Sequence, residues 1–379
     1  MKRIGILMLI LFSCLAFAGW PQAQAQGKHT ITTFDAPGAG TGVFQGTEAS
    51  SINPAGAITG FYTDSKNVNH GFVRDPNGTI TVFDPPDVGK GHGQGTTAAN
   101  INSAGAITGY YVDSSNISHG FLRYPDGTFA PPIDAPDAGK GPFQGTNATS
   151  INTTGVIAGF YTDSNRVNHG FLRDPGGTIT EFDPPDAGKG PGQGTQMFWF
   201  AHNINPAGAI TGYYVDSSNV SHGFLRDPNG TITEWDPPGA GQGPNLIVHV
   251  NSINPEGWIV GTYEDALNRY HGFVRRPHGR FNEGEVPGAG TGYHQGTAGF
   301  DINFDITPEP TIIGPFIDSN NVWHAYVRTA DGKITEFDVA GAGKGSGQGT
   351  YPLGINPERA LTGFYLDASN VYHGFVVMP

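Results

Sequence analysis

The chain has 379 residues, a formal net charge of −13 and one cysteine, Cys14. A chain this acidic with no basic patch excludes nucleic acid as a partner, and a lone cysteine excludes a disulfide framework. Its 58 glycines and 29 prolines recur at fixed positions, which points to turns rather than disorder.

Residues 1–25 read as a signal peptide. Lys2 and Arg3 form a short positive start, and residues 4–18 are an apolar run. Ala16-Phe17-Ala18 and Ala23-Gln24-Ala25 both offer small residues for cleavage, the second being preferred. The run is too short for a membrane span. Lipid attachment at Cys14 is disfavoured, because Leu11-Phe12-Ser13 fits a lipobox poorly. Lys2 and Arg3 are the only charges in this segment, so its loss takes the net charge to −15. The expectation is export to the periplasm or the medium, with no span in the mature chain.

Residues 26–379 repeat one unit of about fifty residues seven times. An Ile-Asn pair opens each copy, at Ile52, Ile101, Ile151, Ile204, Ile253, Ile302 and Ile355. A His-Gly-Phe or related triplet follows, at His70, His119, His169, His222, His271, His324 and His373. In the first copy the pattern predicts strand A near 47–53, strand B near 57–64, strand C near 68–74 and strand D near 79–84. Turns separate them, the clearest being Asp75-Pro76-Asn77-Gly78, whose Asn-Gly accepts positive φ. No helical period occurs. Four strands per copy predict an all-β, seven-bladed β-propeller of four-stranded antiparallel blades, forming a single domain over 26–379. The last copy stops at strand C. An Ile-Thr-Thr-Phe-Asp strand at 31–35 precedes the first copy, so the N-terminal strand is expected to complete the last blade and protect its edge.

The repeat resembles the HAF-type extracellular repeat family. The matching parts are Ile-Asn-x-x-Gly-x-Ile-x-Gly followed by His-Gly-Phe, or by His324-Ala325-Tyr326 in the sixth copy. That family usually shows His-Ala-Phe. The resemblance covers nearly all of the mature chain and implies secretion and repeat architecture, but no reaction. The Ile-Thr-Glu-Phe strands are also superficially similar to those of streptogramin lyase propellers.

An aspartate stands six residues before each repeated histidine: Asp64, Asp113, Asp163, Asp216, Asp265, Asp318 and Asp367. These seven Asp–His pairs are expected to be structural ties across the B–C loop, not seven metal or catalytic sites. The Asp-Ser-x-Asn loops lack the dense carboxylates of a calcium loop, so Asp bonding to its own backbone is the better reading. No metal or cofactor is expected. The D–A loops carry Gln45, Gln94, Gln144, Gln193, Gln295 and Gln348, which are expected to bond neighbouring loops.

Positions identical in every copy are explained by the blade, so departures mark function. Blade four has four extra residues, giving Phe198-Trp199-Phe200 and His202. Blade five carries His249, with Glu264, Arg269 and Tyr270 around its B–C loop, and blade six adds Tyr293 and His294. All are expected on one rim at the channel mouth of blades four to six. The aromatics there are either a plug or a stacking platform for a sugar ring. The leading expectation is a monomeric binding protein for glycans or cell-surface material. An alternative is a polysaccharide lyase or hydrolase, in which His202 or His249 acts as acid or base and Arg269 holds a carboxylate. A third is a purely structural surface protein. An insertion at 304–310 falls in the A–B turn and reads as loop drift.

Overall fold

A computed structural model describes residues 30–302 and 310–379. Residues 1–29, which include the expected signal peptide, and residues 303–309 of the sixth-copy insertion lie outside the described residues. Every element among the described residues is a strand, and the strands form seven radial blades with strand A innermost. In blade one strand A is Gly46–Ile52, B is Ile58–Thr63, C is Asn69–Arg74 and D is Ile80–Phe83. Each sheet is an antiparallel meander, as Thr59↔Val73 and Val73↔Thr81 illustrate. In blade two Pro131-Pro132 interrupts strand D, since proline cannot donate to a ladder, and only the bridges Gly120↔Ile133 and Arg123↔Phe129 remain.

The ring closes as the truncated last copy predicts. The N-terminal strand Thr30–Phe34 lies antiparallel to strand C of blade seven, Tyr372–Met378, in the register Thr33↔Phe375. Neighbouring blades also meet through single parallel bridges such as Asn69↔Gly95, and Tyr372↔Gly46 makes this join between the last blade and the first.

The Ile-Asn motif has a double task on the A–B turn face. Asn53 Oδ1 accepts from Ala57 N at 2.9 Å, which shapes the turn. Its Nδ2 donates to Asn102 O of the next blade. Asn102, Asn152 and Asn205 repeat this step, and Asn356 donates to Asn53 O, so among the described residues an amide chain runs around the axis from Asn356 to Asn254. The opposite face, called the top face below, carries the D–A and B–C loops. Gln45 Nε2 donates across it to Asn67 Oδ1, and Gln94 to Asn116.

The repeated histidines correct one expectation. Each sits 3.3–3.8 Å from the aspartate six residues earlier. Its closer partner is the carboxylate ending strand D, at 2.7–3.0 Å from Nδ1: Asp84, Asp134, Asp183, Asp236, Glu285, Asp338 and, across the closure, Asp35. The earlier aspartate shapes its own loop instead, Asp64 Oδ1 accepting from Lys66 N and Val68 N. The strand D carboxylate also reaches the next blade, since Thr96 Oγ1 donates to Asp84. The tie therefore joins blades as well as strands.

Candidate functional site

The four extra residues of blade four do not lengthen a rim loop. Strand A of blades one, two, three, five and seven carries a bulge at mid-length, between Ala49 and Ser51 in blade one. The insertion enters at that point: strand A of blade four stops at Gln196, and pairing resumes at Ile204↔Ile210. Met197 and Ala201 are fully buried and anchor its two ends. Between them three aromatics cross the channel to other blades. Phe198 packs against His249 and edge-on to Phe300, both at 5.4 Å. Phe200 stacks on Phe61 of blade one at 5.9 Å. Trp199 meets Tyr110 of blade two edge-on at 5.4 Å and stays 45% exposed. The segment is thus a plug whose central ring is left open to solvent.

His202 lies below this plug, not on the rim as expected. It is buried, with Nδ1 at 3.1 Å from Asp301 Oδ1. Asp301 has no exposed surface, and its other oxygen accepts from Ile355 N. Burial works to lower the His202 pKa, but the Asp301 charge and hydrogen bond outweigh it and raise it. His202 borders an axial cavity of about 230 Å³ on the A–B turn face, walled by Ile52, Ile101, Ile151 and Ile204 above the asparagine chain. Ser51 Oγ is 3.5 Å from His202 Nε2, which gives the order of a hydrolytic triad. Ser51 is wholly buried and does not border the cavity, so no nucleophile is presented.

The remaining rim candidates do not gather around Trp199. His249 packs against Tyr213 and Phe198, and burial pushes its imidazole down to about 4. It is therefore neutral near pH 7. Arg269 is held by Asp265 through Nε at 2.8 Å and Nη2 at 2.5 Å. Although burial alone would raise it, those bonds hold the Asp265 carboxyl well below its usual range. His294 pairs with the buried Glu264 at 3.3 Å and lies between the rings of Tyr293 and Tyr270. Among the described residues no hydrogen bond, ion pair or ring contact joins Arg269, Glu264, Tyr270, Tyr293 or His294 to Trp199.

A residue that sequence reasoning passed over stands beside the rings that hold the plug. Glu48 lies directly across the ladder from Phe61, on the face that Phe200 covers. It keeps some accessible surface. Protein surrounds it all the same, and the loss of hydration pushes its carboxyl up to about 8. Among the described residues it has no hydrogen-bond partner. Its charge acts on the phenols of Tyr110 and Tyr372, both already raised by burial. The signal was present in the sequence. The threonine before it recurs as Thr47, Thr96, Thr146, Thr195, Thr297 and Thr350. The next position is different in every copy: Glu48, Thr97, Asn147, Gln196, His249, Ala298 and Tyr351. A scaffold constrains the first position and leaves the second to line the channel.

No family model and no curated protein matches the chain. Solved structures do. Virginiamycin B lyase from Staphylococcus aureus superposes with a TM-score of 0.54 at 14% identity, covering 93% of this chain and 100% of the lyase. The BP39L lectin from Burkholderia pseudomallei gives 0.52 at 11% identity, covering 86% and 92%. A prolyl endopeptidase gives 0.54 at 10% identity, covering 89% of this chain and 46% of that one. The likeness is one of fold. A lyase, a lectin and a peptidase share it, so function has to be argued from the site.

Proposed function

We propose that the chain is an exported, monomeric binding protein of the HAF-repeat type that takes a glycan at the channel mouth of its top face. The observation that carries this reading is Trp199. It is a large ring left 45% exposed on a buried anchor, and it is fixed edge-on by Tyr110. A folded chain gains from covering such a ring, and the apolar face of a sugar is one cover that also brings hydroxyls. Glu48, protonated below about pH 8 and otherwise without a partner, supplies a donor and an acceptor on the neighbouring wall. The expected partition places the hydrophobic contact on Trp199 and the orienting bonds on Glu48 and Tyr110. This centres the site on blades one and two, with blade four contributing the platform. An enzymatic reading needs His202 or His249 to share a site with Arg269; His202 is buried against Asp301, His249 is packed between aromatic rings, and Arg269 is engaged by Asp265, none of which favours it.

The test is an immobilised glycan array probed with residues 26–379 and with the Trp199→Ala variant. Selective binding by the first and its loss in the second is the expected result. Equal binding by both would remove Trp199 from the site.

A further inference from the structure

The top face carries a second feature beside the plug. The tip of each D–A loop donates its backbone N–H to the B–C loop of the preceding blade, as Gly93 does to Asn67 O. Seven residues occupy this position, all with positive φ between 54° and 80°: Phe44, Gly93, Phe143, Gly192, Asn245, His294 and Gly347. Glycine and asparagine accept that conformation readily, whereas a phenylalanine there is strained. Phe44 has φ 59° and is 59% exposed, so neither backbone preference nor burial accounts for it. Strain kept at an exposed aromatic is a reason to look for a function.

Phe44 stands beside a pocket of about 200 Å³ between blades six and seven and the first D–A loop. Its walls are the half-buried rings of Trp323, Tyr351, Phe364 and Tyr372. Tyr351 and Phe364 are stacked, with centroids 5.2 Å apart and planes within 3° of parallel. Trp323 tilts onto Tyr351 at 5.0 Å, and Phe44 onto Tyr372 at 6.3 Å. The phenols of Tyr351 and Tyr372 have no hydrogen-bond partner among the described residues. Burial and the nearby Glu48 charge push the Tyr372 phenol up to about 12, so it stays a donor at any physiological pH.

We propose that this pocket is a second ligand site on the top face, for one pyranose ring of a glycan. Its volume lies below the roughly 300–1,000 Å³ that holds drug-sized ligands, so a single ring is the right scale. Aromatic walls take the C–H faces of such a ring, and the two free phenols meet its hydroxyls. Phe44 is the outer flap, held at the pocket mouth by a conformation that its glycine counterparts adopt without strain. The sugar chemistry rests on the glycan reading above, but the site shares no residue with the Trp199 platform.

The test is calorimetric titration of the mature chain with a panel of methyl glycosides of hexoses, deoxyhexoses and N-acetylhexosamines. The expected result is two bound molecules per chain for at least one probe. Phe44→Gly should weaken one of the two sites at least tenfold while the melting temperature stays equal or rises, because glycine suits that loop tip. Trp323→Ala should weaken the same site, and Trp199→Ala only the other. Unchanged titrations for Phe44→Gly and Trp323→Ala would overturn the proposal. A single site that Trp199→Ala abolishes would overturn it too, while leaving the Trp199 reading intact. A single site sensitive only to Phe44 and Trp323 would uphold it and remove Trp199. Failure of every probe to bind would overturn both.

Discussion

Replacing Asp84 with alanine asks which carboxylate holds the repeated histidine. Asp84 accepts from His70 Nδ1 at 2.7 Å and from Thr96 Oγ1 at 2.5 Å. The change removes both bonds and leaves the wholly buried Thr96 hydroxyl without that acceptor. A hydrogen bond to a charged group contributes roughly 1.5–3 kcal/mol, and stranding a buried polar group costs about 1–3 kcal/mol. Asp84 is 31% exposed, which keeps the total near the low end, at about 2–4 kcal/mol. Asp64→Ala loses two backbone N–H bonds on a loop that water can reach, and a contact of 3.6 Å to His70. Its expected cost is about 1 kcal/mol. Urea titration of both variants, with the unfolding slopes compared, reads the difference. Each variant combined with His70→Ala then gives the coupling, which should be larger for Asp84 by about 1 kcal/mol. Equal costs, or stronger coupling to Asp64, would refute the assignment of the strand D carboxylate as the main partner.

Removing residues 27–36 should lower the melting temperature by several degrees, since it takes away the strand paired with Tyr372–Met378 and the Asp35–His373 tie; an unchanged melting curve would mean the ring is held elsewhere. His202→Leu should cost about 3–5 kcal/mol in urea titration, because Asp301 would be left buried and unpaired, yet glycan affinity should hold, as His202 lies below the plug. Stability should fall as pH rises from about 6 towards 9. The pKa values of His70, His119, His169, His222 and His271 are raised chiefly by their hydrogen bonds to the strand D carboxylates, so their contribution is complete below about pH 6.5 and lost above it. Glu48, raised to about 8 by burial, adds to the same slope, and His249, lowered to about 4, opposes it on the acid side. Thermal melts from pH 5 to 9 check this, and Glu48→Gln should flatten the fall between about pH 5 and pH 8.

The fold was legible because the repeat imposes it. Ile-Asn, His-Gly-Phe and the turn glycines recur at one spacing, and the missing last strand forecast the N-terminal closure. The histidine partner was not legible in the same way. Asp64 and His70 are six residues apart, whereas Asp84 is fourteen away and meets His70 only because strands C and D pair as Gly71↔Phe83. The position of His202 was misjudged for a related reason. Extra residues before an Ile-Asn pair lengthen a loop in most folds, but here strand A already bulges, and the insertion widens that bulge into the channel. Arg269 was a candidate to hold a ligand's carboxylate, and it is engaged instead by Asp265 four residues earlier. Glu48 was readable, since its position differs in all seven copies.

The central claim is that a glycan meets this chain on the top face at Trp199. A crystal structure of residues 26–379, grown with the glycan that binds them best on the array, measures this most directly. The account predicts a sugar ring within about 4 Å of the Trp199 indole, with a hydroxyl bonded to Glu48 or Tyr110. Ligand found only in the axial cavity beside His202, with Trp199 still facing solvent, would contradict it.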